Sequence, residues 1–366
     1  MIYLDNGATS FHKPAVVRQA MLRAMDRCAN PGRGGYPAAM AAADTVFRCR
    51  EQAAKLFDCE SQQVVFTSNC THGLNIAVET LVKPGARVVI SGFEHNAVTR
   101  PLNARKVRIR VAGRRLFDWE NTLEEFEDGL KTGADAAVFT HVSNVFGYIL
   151  PVAEMAALCR QYGVPFVVDA AQSAGTLPVS MNKLGADFIA MPGHKGLLGP
   201  QGTGILLCNR LPEPLMWGGT GSESENQDMP DFLPDRAEAG TLNVVGIAGL
   251  GAGIGYLQHK GIENIYRREH QALLRCIKDL QKKGFRVFSG DHQAATVSFV
   301  SNADCEKTAE ILAESGIAVR AGLHCAPLAH ESAGTHQTGT VRISFGHDAN
   351  PGQNEMLRRV IAKIPD

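Results

Sequence analysis

Seven short apolar runs constrain this chain more than any other feature. Val64 to Thr67, Arg87 to Ser91, Val107 to Val111, Ala136 to Thr140, Pro165 to Asp169, Asp187 to Met191 and Gly204 to Cys208 succeed one another, with helix-length stretches near 71–82, 96–105, 121–131 and 152–162 among them. Several runs, Phe166-Val167-Val168 for example, are apolar without alternation, so both faces of the strand must be covered. Strand and helix in turn, with strands of that kind, predict an α/β fold around a large, mostly parallel sheet. Ligands of such sheets bind beyond the carboxyl ends of the strands.

The flanking segments suggest the rest of the organisation. Residues 1–13 read as an extended arm with a turn at Asp5-Asn6-Gly7, and Pro14 opens a helix carrying Val17, Met21 and Met25 at helical spacing. Asn30-Pro31-Gly32-Arg33-Gly34-Gly35 breaks the chain before a long helix over 38–57. A chain of 366 residues exceeds the roughly 250–300 that one core supports, so a large domain, 14–245, and a smaller α+β domain, 246–366, are expected, joined by the arm. Residues 218–240 are polar and read as a long surface loop. Helices over 244–261 and 262–283 follow, the first with Gly251 and Gly255 where another backbone could come close. Beyond them come strands near 285–289, 295–300, 317–320 and 340–344 and helices near 304–314 and 351–363.

Composition narrows the class of partner. Formal charges cancel, 37 basic against 37 acidic residues, so no field draws in nucleic acid or an anionic membrane, and a small molecule or another protein is expected. The N-terminal stretch has no basic segment followed by an apolar one, and no window approaches the about 20 apolar residues that span a bilayer; a cytoplasmic protein is expected. The nine cysteines, Cys28, Cys49, Cys59, Cys70, Cys159, Cys208, Cys276, Cys305 and Cys325, are odd in number and contain no Cys-x-x-Cys pair, which argues against a disulfide framework or a zinc ribbon.

Chemistry gathers at the strand ends. Lys195 has no charged neighbour from His194 through Cys208 and sits among Gly193, Gly196 and Gly199; a partly desolvated amine there has a lowered pKa and is a usable nucleophile. An exposed lysine at a loop tip is the other reading. Asp169 ends a strand apolar enough to bury it. Ser68-Asn69-Cys70-Thr71-His72-Gly73 opens a helix whose free N–H groups suit a phosphate, unless Ser68 or Asn69 is there only as a cap. A Schiff-base lysine, a carboxylate for a pyridine nitrogen and a phosphate cradle are what pyridoxal 5'-phosphate needs, and all three are present.

Cys325 has Arg320 and His324 as cationic or potentially cationic neighbours, and residues 326–339, with Pro327, Gly334 and Gly339, read as a mobile loop that would let a thiol travel. A zinc or redox-sensing site on His324, Cys325, His330 and His336 competes with that reading, although the spacing fits no strong zinc pattern, so no metal is assigned. The glycines at 199–204 and 249–253 complete no nucleotide-binding motif and read as a hairpin and a packed helix.

The chain resembles the fold-type-I pyridoxal phosphate enzymes of aminotransferase class V, specifically the cysteine desulfurases and selenocysteine lyases. Tyr3-Leu4-Asp5-Asn6-Gly7, Asn69-Cys70-Thr71-His72-Gly73, Glu94-His95-Asn96, His141-Val142-Ser143-Asn144, Asp169-Ala170-Ala171-Gln172, Gly193-His194-Lys195, Gly240-Thr241-Leu242-Asn243, Arg320-Ala321-Gly322-Leu323-His324-Cys325 and Val341-Arg342-Ile343-Ser344 occur in that family's order.

The resemblance implies that Lys195 carries the cofactor, Asp169 pairs with its pyridine nitrogen, Gln172 bonds its ring oxygen and His95 stacks on the ring and moves protons. Cys70, Thr71 and His194 would hold the phosphate, with Thr241 reaching across from a second subunit of a homodimer. Asn144 and Arg342 would bind the substrate carboxylate, with Arg320 on the substrate side as well. Cys325 would accept sulfur from L-cysteine as a persulfide, releasing L-alanine, and hand it to an acceptor protein; selenocysteine is the alternative substrate, and another class V lyase or aminotransferase reaction the alternative chemistry. Pro192, Cys70, Leu242 and His72 depart from the residues usual in the family at those positions.

Overall fold

The computed structural model describes every residue except Arg33 and Asp366. The seven expected runs form one sheet in the order Val64–Thr67, Gly204–Cys208, Phe188–Pro192, Phe166–Asp169, Ala136–Thr140, Arg87–Ser91, Arg108–Ala112. All pairings are parallel except those of Gly204–Cys208, which runs antiparallel to both neighbours. The connection of 193–203 explains the exception: it contains no crossover helix and returns the chain to the adjacent position as a hairpin. The inner strands are buried throughout apart from Arg87 at the start of Arg87–Ser91, and the edge strand Arg108–Ala112 is exposed over Arg108, Ile109 and Arg110.

A second sheet is antiparallel throughout, in the order Arg320–Gly322, Thr340–Ser344, Thr296–Val300, Arg286–Phe288. Its core, with Leu273, Val297, Phe299, Val341 and Ile343, is separate from those beneath the large sheet. The helix Val244–Lys260 lies on the large-sheet side of the boundary expected at 245/246. Val244, Ile247, Leu250, Ile254 and Leu257 share the core of Phe66, Val89 and Phe139. Its glycines permit this: a Cβ on Gly253 would stand 2.4 Å from the Leu197 carbonyl, and one on Gly249 2.8 Å from Met21.

Two expectations give way to packing. The segment after Cys325 is not a mobile loop: Pro327–Ala333 is a helix with proline in its first turn and left-handed Gly334 as its cap, and Ala326, Ala329 and His330 are buried. The surface loop of 218–240 is exposed over most of its length, but near its end Glu238 is buried against Arg50, Oε2 to Nη2 at 2.8 Å, and accepts the Phe66 amide.

The arm does more than join domains. Ile2–Tyr3 pairs in parallel with Ile317–Ala318 of the small domain, while Thr9 Oγ1 and the Ser10 amide bond the His194 carbonyl. The break between the helices Ala15–Arg27 and Pro37–Phe57 is present, with Arg33 outside the described residues.

Candidate active site

Strand ends of the large sheet bring Asp169 and Lys195 together. Asp169 is 2% exposed at the end of Phe166–Asp169, and its Oδ1 accepts the Ala171 amide at 2.9 Å and the Cys70 thiol at 3.4 Å. Lys195 leaves the end of the neighbouring strand on a turn that glycines make possible. Gly175, at φ +86°, packs so close to Gly196 that a Cβ on it would lie 2.3 Å from the Gly196 carbonyl oxygen, and a Cβ on Gly196 would lie 2.3 Å from that of Ala174. No side chain fits between them. Burial pulls the Lys195 amine below its ordinary pKa, the Asp169 carboxylate pulls it back up, and its Nζ makes no hydrogen bond or ion pair among the described residues.

A cavity of about 160 Å³ separates these groups, lined by Asn69, Cys70, Thr71, His95, Asn144, Asp169, Gln172, Pro192, His194 and Lys195. Every cofactor-side residue expected from the sequence is among them except Thr241. Thr241 is exposed and lines a different cavity of about 340 Å³, with Ser68 and His72. At the phosphate end Asn69 is the cap, its side chain accepting from the His72 amide at 2.9 Å, so the amides of Cys70 and Thr71 remain free for a ligand. His72 packs back on Ser68, Nδ1 to Oγ at 3.3 Å.

His95 Nδ1 accepts the Ala97 amide at 3.0 Å and so caps the helix Asn96–Ala104. Burial lowers its pKa, and the neutral ring carries its proton on Nε2. His194, with Nδ1 3.0 Å from Thr9 Oγ1, is likewise held neutral, lowered to about 4 by burial and then by Lys195. Gln172 spends its amide on the Gly7 carbonyl at 2.9 Å, fastening the arm over the cavity.

Glu94, which the sequence offered only as His95's neighbour, is fully enclosed. It accepts from Ser91 Oγ and, at 2.9 Å, from the Thr140 amide, tying together the two strand ends that deliver His95 and Asn144; burial raises it to about 8.

On the small-domain side the arrangement differs from the expectation in two respects. Arg342 is 1% exposed and its fork is already engaged: Nη2 meets Asp5 Oδ1 at 2.5 Å, Nη1 donates to the Asn144 carbonyl at 2.9 Å, and Nε is buried without a partner. His324 is no cation. It is 3% exposed, bonds Thr340 through Nε2, and is pushed down to about 2 by burial and then by Arg342, so it cannot activate the thiol by charge.

Arg320 remains as the cation beside Cys325, Nη2 to Sγ at 3.9 Å. The thiol is exposed on a turn in which His324 and Cys325 both take positive φ, 50° and 57°. The carbonyls of these two residues are gripped from the large domain, His324 by Asn144 Nδ2 and Cys325 by the Asn96 amide, each at 2.8 Å. His324 and His330 stack on each other at 5.6 Å, and no cluster of three metal-binding side chains exists among the described residues. Nor is any helix among them long and apolar enough to cross a membrane.

Asp5 is the site residue that sequence reasoning left without a role. Its signal was an acid two residues beyond an apolar strand; its partner is 337 residues away.

Comparison with known proteins places this geometry. A family model described as aminotransferase class-V matches residues 2–355. A probable cysteine desulfurase of Methanothermobacter thermautotrophicus is 34% identical, the alignment covering 99% of this chain and 94% of that protein. One of Pyrococcus abyssi is also 34% identical, over 94% of this chain and 89% of that protein. The apo structure of the cysteine desulfurase of Thermococcus onnurineus superposes with a TM-score of 0.93 at 31% identity, covering 99% of this chain and 94% of that one.

Proposed function

From the premise that this chain belongs to aminotransferase class V, we propose that it is a cysteine desulfurase that passes the sulfur of L-cysteine to Cys325 and releases L-alanine. The family uses pyridoxal phosphate. The residues of the cavity fit that group: a half-buried amine with no hydrogen-bond partner among the described residues, an enclosed carboxylate and the free amides of a helix N-terminus line one space. When bound, the cofactor supplies an electron sink that labilises bonds at and beyond the α-carbon of an amino acid.

The chain's own residues divide the remaining work. Lys195 offers the covalent anchor, Asp169 the carboxylate that keeps a ring nitrogen protonated, and Cys70, Thr71 and His194 the phosphate contacts. His95 holds a proton at Nε2, fixed in place by its bond to Ala97. Arg342 and Arg320 provide cations for the substrate carboxylate, Arg342 through the donors that Asp5 and Asn144 leave free, with Asn144's amide positioned between them and the thiol turn. Net transfer needs no oxidant: thiol and L-cysteine become persulfide and L-alanine, with one C–S bond broken and one S–S bond formed.

The observation that carries this reading is an exposed thiol held beside a guanidinium that makes no ion pair among the described residues, on a turn bonded directly to the residue after His95. Exposure of Thr241, away from the chain's own cavity, supports a homodimer in which it serves the partner's phosphate site; exposure of Cys325 supports delivery to an acceptor protein. We place both in the cytoplasm.

The test is a product assay of wild type and Cys325→Ala with L-cysteine and L-selenocysteine. Cys325→Ala is expected to keep the yellow chromophore and lose sulfide release by at least about 100-fold, as removal of a covalent nucleophile does. Full retention of sulfide release would overturn the assignment. Selenide release that survives alone would transfer it to selenocysteine lyase.

A further inference from the structure

We propose that Asp5 sets the net charge of the substrate site, and thereby selects amino acids with a single carboxylate over those carrying a second anionic group. The proposal rests on the reading above that Arg342 and Arg320 face an amino-acid substrate.

Strand register places Arg320 directly opposite Arg342. Like charges so placed repel, and a chain that keeps them there gains only if anions lie between or beside them. One anion comes from the chain itself: Asp5, 2.5 Å from Arg342 Nη2. Arg320 makes no ion pair among the described residues and touches only the Cys325 sulfur, at 3.9 Å. His324, near enough to feel both charges, is neutral through burial. Across the cavity the Lys195 amine faces the Asp169 carboxylate, and burial lowers the His95 pKa. Around Arg342, two guanidiniums and one carboxylate therefore leave a single surplus positive charge, with Arg100 a further cation beside His95.

That surplus matches one α-carboxylate. Arg342 takes part through the charge of its guanidinium while its fork stays on Asp5 and the Asn144 carbonyl; its Nε is enclosed. Once the α-carboxylate is bound, a second anionic group projecting toward Cys325 meets no further uncompensated cation there and feels the field of Asp5 as well.

Asp5 is fixed rather than fluid. The amide of Leu4 bonds Ala318 and that of Ser344 bonds Leu4, both at 2.8 Å, the Gly7 amide bonds Ser344 Oγ at 2.8 Å, and Gln172 holds the Gly7 carbonyl. A Cβ on Gly7 would stand 3.2 Å from Arg342 Cζ, so the arm lies directly against the guanidinium.

The test is a spectral titration of the cofactor-loaded protein with L-alanine, which carries one carboxylate, and L-aspartate, which carries two. Wild type is expected to prefer L-alanine. Asp5→Asn keeps an acceptor oxygen and removes the charge, and should shift the affinity ratio about tenfold toward L-aspartate. Arg320→Gln, a second variant in case the first is unstable, should shift it about tenfold the other way. An unchanged ratio in either soluble variant, or a shift of the opposite sign, would overturn the proposal. Binding is read here, not sulfide release, so a protein that binds both amino acids with the expected ratios yet releases no sulfide would refute the proposed function alone.

Discussion

The lysine turn and the thiol turn are both sharp, both lie at the reaction site, and are held by opposite means. Around Lys195 the backbone is fixed by the absence of side chains: Gly175 and Gly196 meet where no Cβ fits, inside one domain and away from solvent. At Cys325 two residues that do carry side chains stand in the left-handed region, His324 buried and Cys325 exposed, and are kept there by hydrogen bonds from the other domain. The first design gives rigidity at no conformational cost to the bonded state. The second stores strain, of the order of 1–2 kcal/mol per residue, and keeps it only while the domains stay together. An anchor for a cofactor requires the first; a thiol that must face both a cavity and an outside acceptor is served by the second.

The largest consequence falls on the glycine contact. Gly175→Ala adds a methyl group 2.3 Å from the Gly196 carbonyl at a φ of +86°. Strain and overpacking together should cost about 3 kcal/mol. Because the atom that must yield belongs to the residue after Lys195, cofactor affinity should fall with stability. Equilibrium denaturation and cofactor titration on the same preparation check this; full affinity in a destabilised protein would show that the lysine turn is not set by the glycines.

Next comes the response to acid, to which His324 on the thiol side contributes. Burial, followed by Arg342, holds the His324 pKa at about 2, whereas an unfolded histidine has a value near 6.5. With the folded value depressed, the unfolded chain takes up the proton first. The resulting stability is complete above about pH 6.5 and declines as pH falls below it. His324→Asn removes the titration and tolerates the left-handed backbone. Its loss of stability between pH 7 and pH 5 should be smaller than wild type's by about 2 kcal/mol, read from denaturation midpoints at the two pH values. Parallel losses would mean that His324 is not held neutral by its surroundings.

What the sequence made legible follows the same division. The large sheet and the Lys195–Asp169 pair could be read because their causes are local: apolar runs for the strands, a lone charge among glycines for the lysine, an acid closing an apolar strand for Asp169. Asp5 with Arg342, Arg50 with Glu238 and the neutrality of His324 could not be read, because each depends on segments far apart in the chain meeting in space. The helix Pro327–Ala333 escaped for a different reason. Seven residues with a proline at the start and a glycine at the end carry too short a pattern to separate helix from loop, and only the burial of Ala329 and His330 decides it.

The smallest effect tests the strain at the thiol most directly. At a φ of +57°, alanine in place of Cys325 pays for its Cβ, whereas glycine does not. Glycine also gives the unfolded chain more freedom, which offsets about 0.5–1 kcal/mol of the relief. Cys325→Gly should therefore be more stable than Cys325→Ala by about 0.5–1 kcal/mol, although glycine at an ordinary position is the less stable of the two. Neither variant has a thiol, so the difference is independent of catalysis and is read by denaturant midpoints with equal slopes. Equal stabilities would mean that the bonds from Asn96 and Asn144 hold an unstrained turn. The sign expected here requires that the two domains impose the left-handed conformation on residues that would otherwise leave it.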